Sequence, residues 1–100
     1  MRKLLVVVSV AAVAVTAFAV VPAQSATRGV SVKDNFFSPK SLTVSRGSTV
    51  KWSWKGHTKH NVTFPTVHST TKVSGVYSHK FNHKGTFSYV CTIHPGMTGK

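Results

Sequence analysis

The chain has a single cysteine, Cys91, among its 100 residues. No internal disulfide can staple it, so the fold has to be held by its core or by something that core binds. The constraint tightens because the first residues read as a segment that is removed. Arg2 and Lys3 precede a run from Leu4 to Val21 broken only by Ser9 and Thr16, and the small residues of Pro22-Ala23-Gln24-Ser25-Ala26 follow. A basic start, an apolar stretch and a small-residue site together make a secretory signal peptide. Ala23 and Ser25 suit cleavage after Ser25, with cleavage after Ala23 or Ala26 as close alternatives. An uncleaved anchor is the competing reading, since the apolar run as a helix reaches about 27 Å against a hydrocarbon core of roughly 30 Å. The expected organisation is a signal peptide over 1–26, cleaved near 23–26, and one exported domain over 27–100. That domain would lie outside the cytoplasm, whether secreted, periplasmic or on the cell surface.

About 74 residues then remain to fold, and a core that small is marginal without a disulfide or a metal. Charge narrows the partners. The formal charge of +12 falls to +10 when Arg2 and Lys3 leave with the leader, and Asp34 is the only acidic residue. Such imbalance favours anionic partners: an acidic protein, a cell-surface polymer or an anionic lipid surface. Nucleic acid is not expected, because the lysines at 33, 40, 51, 55, 59, 72, 80 and 84 are spread out and the chain is exported. A monomer is expected.

Past Thr27 the sequence reads as short strands separated by turns. Val30 and Val32 alternate with polar residues, as do Leu42 and Val44. Asp34-Asn35 and Ser38-Pro39 flank Phe36-Phe37, which predicts a bend carrying aromatic anchors into the core. Val50, Trp52 and Trp54 alternate with Lys51, Ser53 and Lys55, the clearest amphipathic strand. Val62 and Phe64 make a short strand, residues 66–75 a surface loop, and Tyr77, His79 and Phe81 one face of another strand. Phe87, Tyr89 and Cys91 share a face of the next. Many strands with Gly and Pro turns, and no helical period, indicate an all-β sandwich or barrel.

The chemistry is concentrated in Cys91-Thr92-Ile93-His94-Pro95-Gly96-Met97. A thiolate, an imidazole and a thioether stand within one short loop. Thiolate and thioether are soft donors suited to copper(I), and two histidines with one cysteine and a weak axial methionine form an electron-transfer copper site. The second histidine has to come from elsewhere. His60, which opens His60-Asn61-Val62, is the best candidate, and His57, three residues earlier, is the alternative. His68, His79 and His83 have no softer donor nearby and are expected at the surface or the core edge. Zinc is disfavoured, because methionine is a poor ligand for it and only one cysteine exists.

Three stretches resemble the cupredoxins, the blue copper family, in particular its plastocyanin, amicyanin and halocyanin group. They are Phe37 to Val44 with Gly47 and Val50-Lys51-Trp52, then His60-Asn61-Val62, then Gly85 to Met97. The resemblance implies a Greek-key antiparallel β-sandwich with one type 1 copper at one end. It implies His60, Cys91 and His94 as equatorial ligands and Met97 as the long axial one, since His60 matches the family motif and His57 does not. It also implies that Asn61 ties the two ligand loops together and that His94 is the ligand at the solvent edge. Relatives continue into a last strand beyond the methionine, whereas this sequence ends three residues after it. Either the sandwich lacks its last strand and Met97 sits on a frayed tail, or the sequence is part of a longer one.

A one-electron carrier is therefore the expected function, working with acidic redox proteins. Copper binding for delivery, without a dedicated electron-transfer role, is the alternative. Catalysis is not expected, because copper oxidases need further histidine clusters and the sequence contains no His-x-His pair.

Overall fold

Alternation along residues 48–54 sets the architecture. In the computed structural model, which describes residues 24–100, Ser48, Val50, Trp52 and Trp54 are all buried while Lys51 between them is exposed. That is the period of a strand with one face on the core. The elements are β1 (Thr27–Lys33), β2 (Phe36–Ser38), β3 (Ser48–Trp54), β4 (Val76–Phe81), β5 (Tyr89–Val90) and β6 (Thr98–Gly99). The signal-peptide expectation falls on residues 1–23, outside the described residues, and on Gln24 to Ala26. β1 begins at the first residue expected for the folded domain.

Two sheets form, one ordered β2-β1-β3-β4 and one of β5 and β6. They face each other across an aromatic core. The Trp52 ring meets Tyr89 edge-on at 5.4 Å and Phe64 at 5.8 Å, and Phe37 meets Tyr89 at 4.7 Å. Edge-to-face pairs of this kind add to the area they bury. Val30, Val32, Val50 and Val62 complete the centre. The all-β sandwich expected from the sequence is present.

Four details correct the expectations. The larger sheet is mixed, because β1 and β3 run parallel while β1–β2 and β3–β4 are antiparallel. A parallel pair needs a long crossover, and β2 with the segment up to Gly47 supplies it, returning the chain to the end where β1 began. The last strand is not missing. Thr98 pairs with Val90 and Gly99 with Tyr89, and Lys100 exchanges backbone hydrogen bonds with Lys40 and Leu42. Gly99 is needed there, since a Cβ at that position would overlap the Tyr89 ring. Met97 accordingly lies in the core, 2% exposed, and not on a frayed tail. Leu42 and Val44 pack against the core without forming a strand, and of the aromatic pair only Phe37 is buried while Phe36 is exposed.

The turn between β1 and β2 is tight. Asn35 adopts φ 112° and its N–H donates to Lys33 O at 2.9 Å. Positive φ is uncommon outside glycine, and asparagine is among the residues that tolerate it. This turn presents Asp34 toward the loop that follows β3.

Candidate metal centre

His60 enters the interior because its backbone is fixed on both sides. Its N–H and C=O bond to Lys72 at 3.0 Å each, and the buried Trp54 indole donates to the same carbonyl at 3.1 Å. The side chain is fully buried. Cys91 follows β5 directly and is also buried, and His94 is half-buried in the loop beyond. One donor atom from each of His60, Cys91 and His94 lies within 4.8 Å of the other two. Cys91 Sγ and His60 Nδ1 are 3.9 Å apart, and the two imidazole centroids are 4.7 Å apart.

Hydrogen bonds decide which nitrogen each ring offers. His94 Nε2 lies 3.0 Å from Lys59 O. A carbonyl only accepts, so Nε2 carries the proton and Nδ1 keeps the lone pair. His60 Nε2 lies 2.9 Å from Asp34 Oδ1 and 3.1 Å from Thr58 Oγ1, whose own proton goes to Asp34. Nε2 is again the donor, which leaves His60 Nδ1 free on the Cys91 side. Both imidazoles thus keep Nδ1 as the unprotonated donor, and that of His60 lies 3.9 Å from the buried thiol.

The loop carrying Cys91 and His94 is closed on itself. Cys91 N–H donates to Met97 O at 2.9 Å, and Met97 N–H donates to His94 O at 3.0 Å. Met97 joins the same buried cluster as Cys91. The buried Asn61 latches this loop to the His60 segment, as the resemblance implied. Its Oδ1 accepts from Thr92 N at 3.0 Å and from Thr63 Oγ1 at 2.8 Å, and its Nδ2 donates to Thr92 Oγ1 at 2.8 Å and Thr71 Oγ1 at 3.0 Å. His57 is exposed and contributes only its backbone N–H, to Asp34. His68 and His83 are exposed, and His79 is half-buried between Phe64 and Phe81.

Sequence reasoning marks Asp34 as the sole acid and as a turn residue, and gives it no part in the site. Its carboxyl is held far below the usual carboxylate range, first by the hydrogen bond from His60, then by the His57 N–H and by Thr58. Charge-assisted acceptance of several hydrogen bonds favours the ionised form in this way. The one available signal was its being the sole acid of the sequence.

The sequence profile of the cupredoxin-like domain matches residues 4–100. The chain belongs to the cupredoxin-like family. Amicyanin-alpha of Methylorubrum extorquens (strain ATCC 14718 / DSM 1338 / JCM 2805 / NCIMB 9133 / AM1) is 38% identical over 72 residues, covering 64% of this chain and 60% of that protein. Among solved structures, a reduced mutant of amicyanin superposes with a TM-score of 0.68 at 27% identity, over 73% of this chain and 77% of that one. A purple cupredoxin from Nitrosopumilus maritimus has the same fold, with a TM-score of 0.67 at 21% identity over 72% of this chain and 94% of that one. The cupredoxin-like sandwich of this chain thus brings His60, from the segment after β3, together with Cys91 and His94, from the segment after β5.

Proposed function

We propose that this chain is an exported type 1 copper protein that carries one electron at a time, with His60, Cys91, His94 and Met97 as its ligands. The observation that carries the reading is the donor set: a buried thiol and one nitrogen from each of two imidazoles within 4.8 Å of one another, with a buried methionine closing the same loop. Soft sulfur with imidazole suits both oxidation states of copper. Bound there, copper would supply the one-electron couple.

The protein's part is to keep the donors still. The Asn61 latch and the Cys91–Met97 closure hold both ligand loops, so little rearrangement accompanies a change of charge at the site. His94 is the ligand nearest solvent, and the exposed Ile93, Pro95 and Gly96 surround it with a small uncharged patch. Close approach of a redox partner at this patch gives the electron its exit through the imidazole. The alternative, copper delivery, is favoured by an open and exchangeable site, and the buried Met97 supports the carrier instead.

Acidic redox partners suit an exported domain whose formal charge, +12 in the full sequence, is still +10 without Arg2 and Lys3, and the same charge would let it rest on anionic cell-surface polymers or membranes. The test is electron exchange between the copper-loaded protein and small anionic and cationic reagents over an ionic-strength series. Exchange is expected to be fast and reversible. The rate with the anion should fall, and with the cation rise, as the Debye length shrinks from about 10 Å at 0.1 M to about 3 Å at 1 M. Slow exchange, together with ready loss of copper to a chelator, would establish delivery in its place. Rates indifferent to salt would remove the basic surface from recognition.

Export rests on the basic start, the apolar run and the small-residue site before Thr27. The exported form is expected to begin between residues 24 and 27, which its intact mass reads directly. A mass that includes Met1 to Val21 would mean a retained anchor.

A further inference from the structure

The only carboxylate side chain in a sequence of formal charge +12 is spent on one buried histidine. Asp34 reaches His60 Nε2 at 2.9 Å across 26 positions of sequence, and it also accepts from Thr58 Oγ1 at 2.9 Å, from Thr58 N at 3.2 Å and from His57 N at 2.9 and 3.0 Å. The backbone contacts alone would make it a staple between the β1–β2 turn and the loop after β3. A staple does not require the contact to the imidazole. Nor does it require the room made for that contact. A Cβ built on Gly56 would overlap the Asp34 carboxylate and come within 2.9 Å of its backbone nitrogen, so the glycine is what lets the acid seat itself.

We propose that Asp34 is a positioning residue for the metal centre: it fixes His60 with the proton on Nε2 and Nδ1 free, and it lowers the reduction potential of the bound copper. The inference rests on the copper reading given above. Partners on the far nitrogen of a ligand histidine set its tautomer and raise the basicity of the ligating nitrogen. A full negative charge one imidazole ring from the metal stabilises the more highly charged copper(II) over copper(I); Asp34 is itself exposed, so solvent screens part of its charge, but the ring it acts through is fully buried. Every other charged side chain in the sequence is positive and acts in the opposite sense. Asp34 is thus the one charged side chain able to offset them locally.

The test uses the full domain carrying Asp34→Asn, Asp34→Glu or Gly56→Ala, with the visible spectrum and the midpoint potential measured for each. Asp34→Asn keeps the shape and removes the charge, so the colour should persist while copper(II) loses at least about tenfold of its preference over copper(I). That corresponds to a rise of about 59 mV per tenfold in a one-electron couple. Asp34→Glu should recover most of the shift. Gly56→Ala, which retains the charge but unseats it, should move the potential upward as well. In the unmutated copper(I) protein, nitrogen-15 spectra should show the His60 proton on Nε2.

A coloured Asp34→Asn protein with an unchanged potential would reduce Asp34 to a staple and overturn the proposal, as would a His60 proton on Nδ1. If Asp34→Asn does not fold, Gly56→Ala and the His60 proton decide the matter. An unmutated protein that binds copper(II) without colour would overturn the copper reading and this inference with it. An unmutated protein that is coloured, with no potential shift in the variants, overturns this inference alone.

Discussion

Cys91→Ser will abolish the intense visible absorption of the copper(II)-loaded protein. The band requires charge transfer from a soft, polarisable thiolate, and a serine oxygen is too hard a donor to supply it in the visible range. The fold should survive, because the side chain is small, buried and surrounded by a core that keeps every other contact. Circular dichroism of the variant should therefore match that of the parent while the colour is gone. A parent protein that is colourless with copper(II), or a serine variant that stays blue, would remove the thiolate from the centre and with it the type 1 assignment.

The second large effect separates two histidines three positions apart. His60→Ala empties a fully buried space and leaves Asp34 without its imidazole partner. By analogy with large-to-small substitutions in cores, it should destabilise even the metal-free protein by about 2–5 kcal/mol. The blue site should be lost with it. His57→Ala removes an exposed ring whose backbone N–H, the group that binds Asp34, remains. That change should stay within about 0.5 kcal/mol and leave the spectrum intact. Chemical denaturation of both metal-free variants and titration with copper(II) measure the pair. The reverse order of effects would mean that the ligand loop is misaligned with its family.

Both predictions draw on residues that are legible in the sequence, and others are hidden for physical reasons. Cys91, His94 and Met97 stand in one loop, so their spacing alone announces a donor set. β3 announces itself because burial on one face imposes a strict period of two, visible from Val50 to Trp54. The parallel pairing of β1 with β3 leaves no such mark, since alternation says which side is buried and nothing about which strand lies alongside. β6 is only two residues long, too short to show any period, and its place is set by a glycine fitting under Tyr89. Leu42 and Val44 alternate like a strand yet form none, because Leu42 finds its backbone partner in Lys100 and no ladder extends from there. Asp34 was hidden for another reason. Acids beside asparagine are common in turns, and nothing local reveals that the turn faces a histidine 26 positions on.

The engagement of that single acid has an effect on how copies of this protein treat one another. With Asp34 occupied by His60 and its neighbours, every other charged side chain in the sequence is cationic. Two identical molecules have one partly accessible aspartate each to set against thirteen lysines and arginines, so like charges dominate across a shared contact. Self-exchange, the passage of an electron from a reduced copy to an oxidised one, is then suppressed at low salt even though the apolar patch at His94 would permit it. Electrons loaded on this carrier would not be shared out among its own population. They would stay with the molecule that received them until it meets a surface of opposite sign, which gives the pool a direction without any change at the copper.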